Sequence, residues 1–382
     1  MSLSSTHLDL LRQDAHARVD AVVGLTQRIC AVPAPTGEER ARAELVASLW
    51  RERGYTPEVD ELQNVYVRRG TRPKAPVLML LAHIDTVFPA GTPLNVRRQD
   101  DFLFGPSIGD NSVSVASMLT VFEMLDTLGW DTAVDIVAVA NVGEEGLGHL
   151  RGARAAVEHY RPSLGAVLAI DGRLGCIVNV AVGSKRWRIT LKGPGGHSYG
   201  SFGTPSAIHV LARIIAAISD LNVPQDPKTT FNVGTIEGGT SVNTIAANAS
   251  AVIDMRSTDV SALDHLAKQV QAIVLQYTPP ESGLRVTIEV LGERPAGSRS
   301  EKDPLVQLAV QALQWVGVEP KLVASSTDAN IPISLNIPSV CVGITLGEKA
   351  HTVDEQIQIS PIEQGLAQLV RLCVDACELI AR

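Results

Sequence analysis

Val77-Leu78-Met79-Leu80-Leu81-Ala82-His83-Ile84-Asp85 indicates the fold class, because an apolar run leads directly into two side chains that can serve a metal ion. Six continuous apolar residues are typical of a strand that is covered on both faces in an α/β sheet. Ligands of such sheets gather at the carboxyl ends of the strands. The stretch therefore predicts an α/β domain whose functional site lies at that edge of the sheet.

Three further apolar runs end in the same way. Residues 134–140 lead into Gly143-Glu144-Glu145-Gly146, residues 166–170 stop at Asp171, and residues 340–345 precede His351. Two histidines and several carboxylates gathered at one edge predict a divalent-metal site suited to hydrolysis.

Position along the chain suggests a role for several of these side chains. His83 is a natural metal ligand, and Asp85, two residues later, can bond an imidazole ring and fix its tautomer. Asp110 follows a glycine-bearing loop and precedes a helix, where a carboxylate can bridge two ions. Glu144 and Glu145 are expected to point in roughly opposite directions, so that one binds metal and the other meets the substrate water.

The order of the predicted elements divides the chain into two domains. Residues 1–183 alternate helical and strand patterns, and residues 294–382 return to that style, which predicts a discontinuous, doubly wound α/β catalytic domain with a mixed sheet. Residues 184–293 follow the order β-α-β-β-α-β, which predicts an inserted, ferredoxin-like α+β domain able to pair with a second copy. Thr36-Gly37-Glu38-Glu39 has the spacing of a helix capping box.

Composition argues against several classes of partner. The 382 residues carry a net charge of −8 without a run of like charges, so neither a nucleic-acid partner nor an anionic membrane partner is expected. The first residues lack an apolar signal core, and no segment has the apolar length of a membrane helix. The five cysteines form no CxxC pair and suit buried thiols of a cytoplasmic protein.

Taken in order, these motifs resemble metallopeptidase family twenty, the group that holds tripeptidase T, carnosinase, acetylornithine deacetylase and succinyl-diaminopimelate desuccinylase. Other details of the sequence resemble the tripeptidase-like members of this family. The matching motifs span nearly the whole chain in the family's order: Ala82-His83-Ile84-Asp85-Thr86-Val87, Gly109-Asp110-Asn111-Ser112, Gly143-Glu144-Glu145-Gly146, Ile170-Asp171-Gly172, Gly195-Gly196-His197-Ser198 and His351-Thr352.

The resemblance implies a site with two metal ions. One ion would be held by His83, Asp110 and Asp171, and the other by Asp110, Glu145 and His351. Glu144 would be the general base, Asp85 would support the site, and the peptide bond from Asp110 to Asn111 would be cis. Mixed histidine and carboxylate ligands suit zinc, with cobalt or manganese as alternatives.

The inserted domain would supply binding residues and the dimer contact. In the family, the histidine that matches His197 crosses from the partner subunit and stabilises the oxyanion. Asn243 and Arg256 match positions that contact substrate, and arginine suits a substrate carboxylate. Asp328 also matches, although Ser325-Ser326-Thr327-Asp328-Ala329 departs from the family's usual Gly-Gly-Ser/Thr-Asp-Ala loop.

Two enzymatic functions and one binding function remain open at this point. The first is a di-metal exopeptidase that cleaves small peptides with a free carboxylate. The second is an N-acyl-amino-acid amidohydrolase or deacetylase that uses the same site. The third, a binding protein with a vestigial site, is disfavoured because every expected ligand is present.

Overall fold

The computed structural model describes residues 4–72 and 76–382. The chain divides into two compact units, the first made of Met1–Ala181 with Ser298–Arg382 and the second of Val182–Gly297. The bounds expected from the sequence, 184 and 293, lie inside the second unit. No helix in the two described ranges combines the length and the hydropathy needed to cross a membrane.

The secondary structure comprises nine α-helices and nineteen strands within these residues. The helices are α1 (Ser5–Cys30), α2 (Arg40–Glu52), α3 (Val113–Thr127), α4 (Arg151–Tyr160), α5 (Ala207–Ser219), α6 (Val260–Tyr277), α7 (Pro304–Trp315), α8 (Asn330–Ser334) and α9 (Ile362–Ile380). The strands are β1 (Glu58–Val59), β2 (Val65–Arg69), β3 (Val77–His83), β4 (Arg97–Gln99), β5 (Phe102–Phe104), β6 (Asp135–Asn141), β7 (Leu164–Ile170), β8 (Cys176–Ala181), β9 (Gly183–Lys192), β10 (Gly196–His197), β11 (Thr229–Gly238), β12 (Thr244–Ile245), β13 (Asn248–Ser257), β14 (Arg285–Arg294), β15 (Gly297–Ser298), β16 (Lys321–Ser325), β17 (Ser339–Val342), β18 (Gly347–Glu348) and β19 (Gln356–Gln358).

A mixed sheet forms the centre of the first unit. Its strands run in the order β1-β2-β6-β3-β7-β17-β8, with β16 beside β8. The central pairs β3–β6, β3–β7 and β7–β17 are parallel, whereas β2–β6 and β8–β17 are antiparallel. A second, small sheet of order β18-β19-β5-β4 belongs to the same unit.

Strand β3 is buried along its whole length, and its alternation separates two cores. Leu78 and Leu80 pack in one cluster with residues of α1, α3 and α9. Met79 and Leu81 pack in another cluster with residues of α4 and α8. Since side chains of a strand point to opposite faces in turn, helices cover both faces of the sheet. The predicted doubly wound α/β fold is confirmed.

The second unit contains a four-stranded antiparallel sheet of order β11-β13-β9-β14. Helices α5 and α6 contribute Leu211, Ile214, Leu266 and Val270 to a single buried cluster with the sheet. This is the predicted β-α-β-β-α-β module, with the two-residue strands β10 and β12 as an additional antiparallel pair.

One local prediction is wrong, and one helix was not predicted. The capping box is wrong: Glu39 is the N-cap of α2 without a side-chain cap, and the Thr36 hydroxyl donates instead to Asp85 Oδ2 at 2.9 Å. The amino-terminal segment, for which no element was predicted, forms α1, a helix of 26 residues. Its buried face, which includes Leu11 and Val22, is part of the main core.

Candidate metal centre

The carboxyl ends of three neighbouring strands place the predicted ligands together. His83 is the last residue of β3, its register partner Asn141 ends β6, and Asp171 directly follows β7. The register is fixed by continuous pairing of buried strands, so these end positions are set by the core. His83 is almost completely buried.

Asp110 reaches the same place from the loop before α3. The kinked segment Ile108–Ser112 carries it, with Asp110 and Asn111 in non-helical conformations, and the peptide bond from Asp110 to Asn111 is cis, as expected. The Asn111 amide donates to Ile170 O at 2.9 Å, which ties the turn to the end of β7. The amides of Gly109 and Asp110 donate to the buried carboxylate Glu355, at 3.0 and 2.8 Å.

The predicted ligands form three overlapping groups. Within each group one potential ligand atom per residue lies within 4.8 Å of the others, and the groups are His83 with Asp110 and Asp171, Asp110 with Glu145 and His351, and His83 with Glu144 and Glu145. The two oxygens of Asp110 face different rings: Oδ1 lies 3.0 Å from His83 Nε2, and Oδ2 lies 3.0 Å from His351 Nε2. Asp110 is therefore placed to bridge two ions.

Glu144 and Glu145 occupy the loop after β6, and they do not diverge as predicted. Both carboxylates reach the neighbourhood of His83, because the loop between Gly143 (φ 70°) and Gly146 (φ 54°) is not extended. The amides of Glu144 and Glu145 each donate to the Asp85 carboxylate at 2.9 Å. Asp85 therefore fixes the loop that carries both glutamates.

The support given by Asp85 to His83 also differs from the prediction. His83 Nδ1 lies 3.1 Å from the backbone carbonyl oxygen of Asp85, whereas its distance to the carboxylate Oδ1 is 3.6 Å. The carbonyl oxygen accepts the Nδ1 proton and so directs Nε2 towards Asp110. The carboxylate is already engaged by two amides and by the Thr36 hydroxyl.

Burial and mutual repulsion set the protonation of the site. Burial, followed by the charge of Asp110, raises the pKa of Glu145 to about 8 and that of Asp171 to about 8. Burial opposes ionisation of Asp110 as well, but hydrogen bonds from His351 and His83 outweigh it and hold the Asp110 pKa below its usual range. A cluster of carboxylates that resists ionisation in the absence of cations is one that divalent cations would stabilise.

Asn141 and Glu355 are site residues that the sequence motifs do not reveal. Asn141 Nδ2 donates to Asp328 Oδ2 at 2.7 Å, and both side chains are buried. Burial, followed by the charge of Glu144, raises the pKa of Asp328 to about 7. Its predicted contact with substrate stays a prediction, while the structure shows it holding the end of β6.

The loop Gly105-Pro106-Ser107-Ile108-Gly109 has the Gly-x-Ser-x-Gly spacing of a serine-hydrolase elbow. Ser107 even has the positive φ of 61° that such elbows show. Its side chain is completely buried, however, and its hydroxyl accepts a 3.5 Å hydrogen bond from Arg42. The loop therefore positions Asp110 and offers no accessible nucleophile.

In the second unit, His197 is exposed and has a defined tautomer. Its Nδ1 accepts hydrogen bonds from the amides of Tyr199 and Gly200, both at 3.3 Å, so the proton lies on Nε2. Asn243 accepts from the Ser241 hydroxyl, and its backbone oxygen accepts from the Ser198 amide. Arg256 is paired with Asp254 at 2.6 Å.

Comparison with known proteins gives concordant results. Residues 79–375 match the model of peptidase family M20/M25/M40. A succinyl-diaminopimelate desuccinylase of Nitrosospira multiformis is 23% identical over 93% of this chain and 97% of its own length. A tripeptidase of Staphylococcus aureus has a similar fold, with a TM-score of 0.79, 22% identity, and coverage of 94% of this chain and 99% of that one. The Bacillus subtilis YXEP protein, described as a dinuclear metal binding peptidase, aligns with a TM-score of 0.70, 16% identity, and coverage of 95% of this chain and 99% of that one.

Proposed function

The chain belongs to peptidase family M20/M25/M40 and is a hydrolase of amide or peptide bonds, and on that premise we propose that it is a di-metal exopeptidase. Its substrates would be small peptides with a free carboxylate. The observation that carries the proposal is the position of Asp110, whose two oxygens each face a different histidine at 3.0 Å.

The residues present fit two divalent cations. His83, Asp110 and Asp171 would hold one, and Asp110, Glu145 and His351 would hold the other, with zinc as the first candidate and cobalt or manganese as alternatives. When bound, such cations supply Lewis acidity, which polarises a carbonyl group and lowers the pKa of water.

Glu144 is the proposed general base. Its carboxylate reaches the ligand cluster, and its backbone is fixed by the Asp85 carboxylate. It would take the proton of the attacking water and deliver it to the leaving amine. Asp85 acts only by positioning, through the loop amides.

The second unit, with proposed bounds 184–293, is assigned to substrate binding and to dimerisation. The Nε2–H of His197 is a fixed donor suited to an oxyanion, and in the proposed homodimer it would serve the partner's site. Asn243 and Arg256 would bind the substrate carboxylate. To do so, Arg256 would first have to break its ion pair with Asp254.

The second candidate, hydrolysis of N-acyl amino acids, is favoured by one observation. The curated relative described above, which covers nearly the whole chain, is a desuccinylase. The solved structure with the 0.79 TM-score is a tripeptidase, and that likeness supports the fold alone. A cytoplasmic location is proposed because all five cysteines are free thiols, four of them buried, as suits a reducing compartment.

The test is hydrolysis by the zinc-reconstituted protein of a panel of dipeptides, tripeptides and N-acyl amino acids, with and without chelator. Chelator-sensitive release from peptides with a free amine is expected. Cleavage of only N-acylated compounds would select the amidohydrolase instead. Absence of hydrolysis by a protein with two bound ions would refute both functions.

A matched pair of variants tests the roles of the adjacent glutamates. Glu144→Gln should keep both ions and lose about 10²- to 10⁴-fold in turnover, the usual contribution of a general base. Glu145→Gln should lose metal. Turnover retained by Glu144→Gln would refute its role.

A further inference from the structure

A cavity of about 250 Å³ lies within the first unit and shares two walls with the metal centre. Asp110 and Asp171 form those walls, and Val113 and Ile357 contribute apolar surface. A group that enters this cavity lies beside the proposed ligands. It is therefore a natural subsite for part of a substrate whose amide bond is being cleaved.

Two cationic residues, Arg173 and Lys349, are also among those that line the cavity. Both are exposed, and in the part of the chain that the structure describes neither forms an ion pair with a carboxylate. Most exposed cations are simply solvated. These two differ because they occur on separate loops and converge on one cavity beside the proposed reaction centre.

The backbone holds both residues firmly. Arg173 pairs with Thr345 as an isolated parallel bridge, and the Leu174 amide donates to Thr345 O at 2.9 Å. A side chain at Gly343 would lie 2.3 Å from the Arg173 carbonyl carbon, so the two loops touch. Lys349 begins the turn that carries His351, and the Thr352 hydroxyl donates to Lys349 O at 2.7 Å.

The net charge of the cavity depends on which of its carboxylates are engaged elsewhere. Asp110 and Asp171 belong to the proposed metal groups, and Glu355 is buried under two amides. Glu348 is the remaining carboxylate of the lining, and it accepts from Gln356 at 3.4 Å. With two cations against Glu348, the part of the cavity that faces a substrate carries net positive charge.

We propose that Arg173 and Lys349 determine specificity by binding an acidic group on the acyl side of the scissile amide. The acyl side is assigned because the proposed function places the substrate's other carboxylate at Asn243 and Arg256, in the other unit. The preferred substrates are then acidic acyl compounds, such as succinyl amides or peptides with an acidic first residue. A planar guanidinium and an ammonium group both suit a carboxylate.

Matched substrates test this inference, which rests on the proposed function. N-succinylglycine is compared with N-succinamoylglycine, and Glu-Ala with Gln-Ala, because each pair differs in one negative charge. For the pair that the wild type cleaves, kcat/KM should be about tenfold or more higher for the acid than for the amide. This is the effect of a charge-assisted hydrogen bond. In the double variant Arg173→Gln and Lys349→Met the ratio should fall towards one.

Lys302→Met is the control, because Lys302 is an exposed cation of the same unit outside the cavity, and it should keep the wild-type ratio. Equal rates for acid and amide in the wild type, or an unchanged ratio in the double variant, would overturn the subsite. Melting temperatures exclude misfolding as a cause.

A binding measurement separates failure of the subsite from failure of the proposed function. Zinc-loaded Glu144→Gln protein is titrated calorimetrically with the same acid and amide. If the acid binds more tightly than the amide, and the difference disappears when Arg173 and Lys349 are also replaced, the subsite is supported even if no substrate is cleaved. Equal binding of both compounds would overturn it.

Discussion

Glu355 shows how a residue without a metal-binding role can control the metal centre. One carboxylate oxygen accepts two amide hydrogen bonds from the turn that carries Asp110. Glu355→Ala would leave both part-buried amides without this acceptor, which should lower the free energy of unfolding by about 2 kcal/mol. Glu355→Gln keeps an acceptor and should cost less.

Urea denaturation and zinc titration of the two Glu355 variants check this prediction. The alanine variant should also bind zinc more weakly, since Asp110 is then less well positioned. Equal stability of the alanine variant and the wild type would show that the turn does not depend on Glu355.

Cys30 is expected to resist alkylation. Burial raises its pKa from the ordinary 9.0 to about 11. Between these pH values the thiol stays protonated in the folded protein but is ionised in the unfolded chain. Between these values the unfolded state binds fewer protons, and the contribution of Cys30 to stability declines as pH rises. Mass spectrometry after iodoacetamide treatment at pH 8 should find Cys30 unmodified without urea and modified with urea. Modification of the native protein would contradict the prediction.

At the scale of elements, Arg42 joins three segments around the site. It projects from α2, is completely buried, and donates to Val32 O after α1 and to Ile84 O after β3, at 2.8 and 3.0 Å. Arg42→Ala should lower the free energy of unfolding by about 3 kcal/mol, because buried carbonyl groups lose their donor and a cavity remains.

Arg40, an exposed residue on the same helix, provides the control. Arg40→Ala should change stability by less than about 0.5 kcal/mol. Similar losses for both variants in urea denaturation would mean that helix α2 itself, and not the buried contact, is responsible.

The elements that could be predicted are those whose pattern is set by burial alone. Strand β3 and the end positions of His83 and Asp171 follow from apolar runs, since runs this short have the length of a strand and not of a buried helix. The local sequence could not show that the capping box at Thr36 is wrong, because the Thr36 hydroxyl donates to the carboxylate of Asp85, 49 residues away. The predicted directions of the paired glutamates are wrong because they assume an extended chain, whereas two glycines with positive φ bend that loop.

The site was predictable to the extent that its residues belong to recognisable motifs. Asn141 and Glu355 act through contacts 187 and 246 residues away along the chain, respectively, and nothing in the local sequence indicates them. The long helix α1 is not among the predicted elements, and its buried residues, which include Leu11 and Val22, are interspersed with polar ones. Its role, which is to pack against α3 and α9 in the main core, is evident only from the structure.

At the scale of the whole molecule, the second unit offers two edge strands, and their charges differ. Strand β14 carries Glu289 and Glu293, each paired with a cation of β9, and charges of this kind protect an edge from pairing. Strand β11 has a single charged residue, Glu237, and its Ile236 is 57% exposed. We therefore expect the proposed homodimer to form through β11.

Ile236→Lys should convert the dimer to a monomer, because a lysine on an edge strand disfavours pairing with a second edge strand. Val290→Lys, at a residue 53% exposed on β14, is the matched control and should remain dimeric. Light scattering coupled to size exclusion measures both. A monomeric wild type, or disruption only by Val290→Lys, would refute this interface.

Asp110 is proposed to bridge two metal ions, and the zinc content of the reconstituted protein tests this role. After removal of excess zinc, mass spectrometry of the metal should find two ions per chain in the wild type and in the exposed control Asp9→Asn. Asp110→Asn should lose both ions, since each proposed group contains Asp110. A wild type with one ion or none, or an Asp110→Asn protein that retains two, would contradict the account.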